Sequence, residues 1–134
     1  MTYADITTTI TIDDKKYIAE LGRVENTMLG VEDHGIFMTY LYLDYAGSSQ
    51  GAGGYALDKY NKEKQRRVGS AYGLDWIMRT LEVAGVYKWE DLKGVYLYAL
   101  KEDHWGMVKG LVNANDKSKV FIFEDLAKEH GLVD

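Results

Sequence analysis

The stretch IFMTYLYLDY, residues 36–45, is apolar or aromatic at nearly every position. A central strand that is covered on both faces has this composition, and β-branched and aromatic side chains favour a strand. A short buried helix would show the same lack of alternation, because periodicity alone does not separate the two over so short a run. We expect a strand here, with a sheet built around it.

The N-terminal segment is typical of one arm of an antiparallel hairpin. Residues 2–12 alternate between apolar and polar side chains, which predicts a half-buried strand. A polar turn at 13–16 then leads into a second predicted strand over 17–24. The apolar face of the first strand consists of Ala4, Ile6, Ile10 and Ile12.

The C-terminal part predicts a second hairpin and a short helix. Residues 95–100 (VYLYAL) and 107–112 are the expected hairpin strands, and an apolar segment follows at 120–123. A closing helix is predicted over 124–130, and Gly131 ends it.

One principal helix is predicted in between. Ser70 is a suitable N-cap residue, and Gly85 supplies the C-terminal stop. Gly69 and Gly73 leave one side of the first turn bare, which predicts a close approach of the helix backbone to the sheet. The apolar side chains that repeat at helical spacing are Leu74, Ile77, Met78 and Leu81.

These elements predict an α+β fold in one domain, residues 1–134. We expect an antiparallel sheet of five or six strands packed by one principal helix, with a short C-terminal helix. No apolar run approaches the ~18 residues of a membrane span, and the N-terminus lacks the pattern of a signal peptide. We therefore expect no membrane partner and a cytoplasmic location.

The charge balance limits the classes of partner. Sixteen basic and twenty-one acidic residues give a net charge of −5, so duplex nucleic acid is not the expected main partner. One basic island, residues 58–67, carries a local excess of positive charge. It is either a solvated helix face or a contact for an anionic ligand. The absence of cysteine excludes a disulfide scaffold and a thiolate zinc site.

A glycine-rich segment, residues 47–54, is the first candidate site. Its glycines Gly51 and Gly53, together with Ala56, satisfy the literal pattern G-x-G-x-x-A of dinucleotide-binding loops, but the hairpins around it do not form the βαβ unit which that site needs. Successive glycine N–H groups also form anion-binding concavities, with Arg66 and Arg67 close enough in sequence to add charge. A tightly turning surface loop is the alternative.

Catalytic and metal-binding patterns are weak. Glu-Asp-His occurs at 32–34 and at 102–104; two such triplets suit a metal, but they are equally ordinary turn sequences. We expect no catalytic activity, no metal and no cofactor. The alternative is a small hydrolase or isomerase that uses Asp33, His34 and Asp44.

Tyrosine is unusually frequent, with eleven residues in 134. Tyrosine is favoured where one end of the ring is buried and the other is wet, as at a subunit interface or around a planar ligand. We therefore expect a homo-oligomer, with ligand contacts at the same surface. The tyrosines in excess of core requirements are Tyr55, Tyr60, Tyr72, Tyr96 and Tyr98.

Several short motifs lie between residues 34 and 94: HGI at 34–36, LDY at 43–45, QGAGGYALD at 50–58, RVGSAYG at 67–73 and WEDLKG at 89–94. Together they resemble small proteins encoded by phages and prophages. Such proteins are often anti-defence factors, among them the anti-Thoeris and anti-CBASS sponges, which bind nucleotide immune signals without cleaving them. The resemblance covers a little under half of the chain and implies no particular catalytic residue.

The sequence thus leads to one functional hypothesis: sequestration of a small phosphorylated ligand of the cyclic-nucleotide or ADP-ribose type. The alternative is an acidic inhibitor of a host defence nuclease, of the anti-CRISPR or anti-restriction kind. In the first hypothesis the glycine segment cradles the ligand, the two arginines supply charge, a tyrosine stacks and an aspartate orients a hydroxyl group. The expected ligand-binding residues are Asp44, Gln50, Gly51, Gly53, Gly54, Tyr55, Arg66 and Arg67.

Overall fold

The computed structural model describes residues 6–32 and 34–133, so residues 2–5 of the first predicted strand lie outside the described part. The described residues form nine strands, two α-helices and one 3₁₀ turn, which confirms the α+β fold. The strands are β1 (Thr7–Ile12), β2 (Lys15–Val31), β3 (Phe37–Asp44), β4 (Ser49–Gly53), β5 (Asp58–Asn61), β6 (Arg66–Gly69), β7 (Tyr96–Lys101), β8 (Gly110–Asn113) and β9 (Val120–Ile122). The helices are α1 (Ala71–Ala84) and α2 (Phe123–Glu129), and the 3₁₀ turn is Trp89–Asp91.

The main sheet is antiparallel, with the strand order β4-β3-β2-β7-β8-β9. Strand β2 is the longest and continues well past the predicted end at residue 24. One of its edges pairs with β7, whereas the other pairs first with β1 and then with β3. The register of β2 against β3 shifts between Val24 and Asn26, where Glu25 forms a bulge.

Helix α1 begins and ends at the predicted residues. The Ser70 hydroxyl accepts a hydrogen bond from the Gly73 N–H (3.0 Å), and Gly85 adopts the left-handed conformation at the C-terminus. A Cβ at Gly73 would lie 1.9 Å from the carbonyl oxygen of Leu57, which confirms the predicted close approach, although the neighbour is the segment before β5. Gly69 has open space around it, so the same explanation is wrong there.

The buried side of α1 is not the side with the regular apolar repeat. Leu74 is 62% exposed and Met78 is 49% exposed. The core is filled instead by an aromatic cluster in which Trp76 contacts Phe121 and Phe123, with ring centroids 4.9 and 4.5 Å apart. The buried residues of the helix are Tyr72, Gly73, Trp76, Thr80, Val83 and Ala84.

Two segments differ from their predicted form. Most of the glycine-rich segment is not a loop but the edge strand β4, paired with β3 from Tyr40↔Gly53 to Asp44↔Ser49. The basic island is not a helix face but a two-stranded hairpin, β5–β6. This hairpin leads directly into the N-terminus of α1 and thereby places its arginines beside the helix.

Candidate functional site

The structure distributes the predicted site residues over different surfaces. Arg66 and Arg67 line a groove of about 540 Å³, Tyr55 lines a pocket of about 470 Å³, and Gln50 lines one of about 330 Å³. A further groove of about 590 Å³ has none of the predicted residues in its lining. The single cradle that the sequence suggested is therefore not assembled around one cavity.

The first of these cavities, which we call the arginine groove, combines charge with an apolar surface. It lies between the β5–β6 hairpin, the N-terminus of α1 and the ends of β2 and β3. A cavity of this volume, with a few polar groups in an apolar lining, is the usual form of a small-molecule site. Its lining includes Arg66, Arg67, Val31, Phe37, Leu74 and Ile77.

The two arginines of the groove have different environments. Arg67 forms a two-pronged ion pair with Asp58, with Nε–Oδ2 at 2.7 Å and Nη2–Oδ1 at 2.9 Å. The Arg67 guanidinium accordingly holds the pKa of the Asp58 carboxyl below its usual range. Arg66 is exposed and forms no ion pair with any described carboxylate, and its Nε donates to the carbonyl oxygen of Arg67 (3.3 Å). Arg66 thus carries the groove's unneutralised positive charge.

The N-terminus of α1 adds to the same electrostatic field. Ser70, Gly73 and Leu74 line the groove. The first turn of the helix, all of which is described, carries no acidic side chain. The positive end of the helix dipole therefore adds to the charge of Arg66 without local compensation.

The glycines of the segment after β3 are explained by packing. A Cβ at Gly53 would lie 2.4 Å from the carbonyl oxygen of Thr39, and one at Gly54 would collide with the ring of Tyr40. The Gly54 N–H already donates to the Thr39 carbonyl oxygen (2.8 Å). Gly51 stands opposite Tyr42 in the ladder, and a Cβ there would lie 3.0 Å from the Tyr40 ring. These glycines permit strand pairing beside large tyrosines.

Gln50 and Asp44 also have structural partners. The Gln50 side chain accepts from the Tyr45 hydroxyl (2.8 Å) and donates to the Gly106 carbonyl oxygen (3.0 Å). The Asp44 carboxylate accepts from the Ala46 N–H (3.1 Å) in the turn before β4. Both side chains therefore help to shape the β3–β4 turn and its contact with the loop after β7.

A buried ion pair lies in the pocket that Gln50 lines. Lys101 Nζ donates to Glu20 Oε1 at 2.5 Å and to the His104 carbonyl oxygen at 3.1 Å, and it lies 5.1 Å from the centre of the Tyr45 ring. The pair joins the end of β7 to the middle of β2 and holds the start of the loop after β7. The sequence analysis did not predict this ion pair. The available signal was Lys101, a charged residue that directly follows the apolar run at 95–100.

The glutamates of the two Glu-Asp-His triplets lie at opposite ends of β2. Glu102 forms an ion pair with Lys15 at the start of β2 (2.9 Å), whereas Glu32 directly follows its end. Among residues 6–32 and 34–133 no group of three metal-ligating side chains is found. Asp33 lies outside the described residues. His34 and Asp44 are separated by the full length of β3, so the fold does not bring this part of the hydrolase alternative together.

Comparison of the chain with protein-family models, with curated proteins and with solved structures found no match. In the part of the chain that the structure describes, no helix is long and apolar enough to cross a membrane.

Proposed function

We propose that this protein is a non-catalytic binder that sequesters a small phosphorylated ligand in the arginine groove. The observation that carries the proposal is the position of Arg66: an exposed guanidinium at the rim of an apolar groove, next to the N-terminus of α1. Phosphate oxygens accept charge-assisted hydrogen bonds from guanidinium groups and are stabilised at helix N-termini.

The apolar wall would hold the uncharged part of such a ligand. Phe37, Leu74 and Ile77 offer side chains against which a base or sugar ring would lie. Arg67 would act chiefly through its ion pair with Asp58, which fixes the β5–β6 hairpin beside the helix. In this proposal Asp44, Gln50 and the glycines of β4 support the fold and do not contact the ligand.

The resemblance to phage-encoded proteins indicates which ligands to test first. Cyclic dinucleotides, cyclic oligonucleotides and ADP-ribose derivatives all combine phosphate with planar rings. Native mass spectrometry of the intact protein with each of them would report the mass and number of bound ligands. It would also report whether the protein is a homo-oligomer, which stays a prediction. A ligand recovered unchanged after heating supports sequestration, and recovery of a product contradicts it.

The decisive variant is Arg66→Ala, with Lys64→Ala as its matched control. Both remove one exposed cation from the same hairpin, but Lys64 does not line the groove. We expect Arg66→Ala to weaken binding about tenfold or more, as the loss of a charge-assisted hydrogen bond does, with little effect of Lys64→Ala. Equal effects of the two variants would contradict the site. Failure of every nucleotide to bind would favour the acidic protein inhibitor.

A further inference from the structure

A second cavity, which we call the tyrosine pocket, lies along α2 and the residues that follow it. It has a volume of about 470 Å³ and is formed where five parts of the chain meet: the start of β2, the segment after β4, the first turn of α1, the segment between β7 and β8, and the end of β9 with α2 and the residues after it. Three tyrosines from three of these parts line it: Tyr17, Tyr55 and Tyr72.

Tyr17 and Tyr72 are buried and Tyr55 is half-buried, but their hydroxyl groups have no hydrogen-bond partner in the part of the chain that the structure describes. Tyr17 is 6% exposed and Tyr72 is 9% exposed, and the Tyr55 ring packs 4.9 Å from that of Trp76. Among the described residues no hydrogen bond joins any of the three hydroxyls to a protein group. No fully buried side-chain oxygen in that part of the chain lacks a partner. Each of the three hydroxyl oxygens therefore keeps some contact with solvent, and all three tyrosines line the pocket.

The hydroxyl groups remain protonated and are available as hydrogen-bond donors. Burial raises the pKa of Tyr17, Tyr55 and Tyr72 above the usual value for a phenol. The pKa of Tyr72 is raised further by the nearby Tyr55, which lines the same pocket. The charged groups that act on Tyr17 include Lys15 and Glu102, which line the same pocket.

The charges at the rim cancel one another. Lys15 Nζ lies 2.9 Å from Glu102 Oε2, and Lys109 Nζ lies 4.0 Å from Glu102 Oε1. Glu124 pairs with Lys128 at 3.7 Å. A charged ligand would therefore have to compete with existing ion pairs, whereas an uncharged one would not.

The remaining walls are apolar. They are supplied by Ile122, Phe123, Ala127, Leu132 and Val133. Leu132 and Val133 are 58% and 46% exposed, so the C-terminal segment leaves apolar surface uncovered at the mouth of the pocket. A flat apolar ligand would cover this surface and gain the free energy of its burial.

We propose that the tyrosine pocket binds a small uncharged aromatic or heteroaromatic molecule that carries hydrogen-bond acceptors. The rings and aliphatic side chains receive its planar body, and the hydroxyls of Tyr55 and Tyr72 donate to its acceptor atoms. The site is separate from the arginine groove, and the inference does not depend on the function proposed for that groove.

Two-dimensional amide NMR of the whole protein tests the inference. The probes are benzamide, nicotinamide and uracil at millimolar concentration, with benzoate as the charged analogue of benzamide and cyclohexanecarboxamide as the non-planar one. We expect the planar uncharged probes to shift the amide signals of Tyr55, Tyr72, Phe123 and Leu132, and both analogues to bind more weakly. No shift from any planar probe, or tighter binding of benzoate than of benzamide, would overturn the proposal.

Tyrosine-to-phenylalanine variants test the role of the hydroxyl groups because they keep the rings that the core needs. We expect Tyr55→Phe and Tyr72→Phe each to weaken binding about two- to tenfold, the effect of losing one hydrogen bond. Tyr60→Phe is the control, since Tyr60 is exposed and does not line the pocket. Unchanged thermal unfolding would show that the variants are folded. Unchanged affinity in both pocket variants would contradict hydrogen bonding by these hydroxyls and overturn the assignment.

Discussion

The ammonium nitrogen of Lys101 lies 2.5 Å from Oε1 of Glu20, and each residue is 3% exposed. The two are 81 positions apart in the sequence and meet because β2 and β7 are neighbours in the sheet. A buried pair of this kind loses much of its hydration, so its net contribution depends on both partners being present.

We therefore expect Lys101→Met to lower the free energy of unfolding by about 3–5 kcal/mol, because Glu20 would be left as a buried charge without its cation. Adding Glu20→Leu should recover most of this loss. Urea denaturation followed by tryptophan fluorescence measures both effects. Lys15→Met is the matched control, because the Lys15–Glu102 pair is half exposed, is screened by solvent and should contribute little to stability. Equal losses for Lys101→Met and Lys15→Met would contradict the argument.

Gly73→Ala should be strongly destabilising. The added methyl group would lie 1.9 Å from a backbone carbonyl oxygen, which has no flexible side chain to move aside. We expect a loss of about 3 kcal/mol, in the range of overpacked cores. Gly69→Ala is the control, because nothing lies within 4 Å of the added atom there, and its effect should stay within about 0.5 kcal/mol. Thermal or urea unfolding of the two variants measures the difference in stability. Similar stabilities would contradict a steric clash at Gly73.

The ion pair between Asp58 and Arg67 should make stability depend on acidic pH. The pKa of Asp58 is lowered in the folded state, so the folded protein binds a proton less readily than the unfolded chain. The stabilisation is present above the unfolded pKa of about 3.9 and disappears as pH falls through the lower folded value.

Asp58→Asn should therefore be less stable than the original protein at pH 7, and the difference should shrink as pH falls below about 4. Urea denaturation over this range measures it. Asp91→Asn is the control, because Asp91 is exposed and forms no ion pair with a described residue. A difference between Asp58→Asn and the original protein that is constant with pH would show that the ion pair is not its origin.

The elements with local signals were predictable from the sequence. Ser70 and Gly85 bound α1 because capping depends on residues within one turn of the helix end. The strand at 36–45 was predicted for a similar reason, since its composition suits a strand covered on both faces. The structure confirms it as β3.

The buried side of α1 and the role of the glycines at 51–54 depend on contacts between distant parts of the chain, so they were not predictable from the sequence. The helix repeat made Leu74 and Met78 natural candidates for the core, but the large rings of Tyr72 and Trp76 fill the space above the sheet. The glycines of residues 51–54 resembled a phosphate loop. Their actual requirement is the close approach of Thr39 and Tyr40, which no local pattern reveals.

The predicted ligand-binding residues line different cavities, because their positions also depend on contacts between distant parts of the chain. Arg66 and Tyr55 are eleven positions apart, but the β5–β6 hairpin between them places the arginine on one side of α1 and the tyrosine against its core-facing rings. The tyrosine surplus was a useful signal, since Tyr55 and Tyr72 do line one cavity. The third tyrosine of this cavity, Tyr17, was not singled out, because the sequence around it predicted only a strand.

The bulge at Glu25 determines which side chains of β2 face the helix. Before it, even-numbered positions such as Glu20 and Val24 lie on the same side of the sheet as α1, whereas after it the odd-numbered Thr27 takes that side, opposite Leu41. A chain one residue shorter at this point would turn one half of the strand over relative to the other. Because of this single extra residue, β2 pairs with β7 before the bulge and with β3 after it as one continuous strand, although its inward-facing positions change from even to odd numbers.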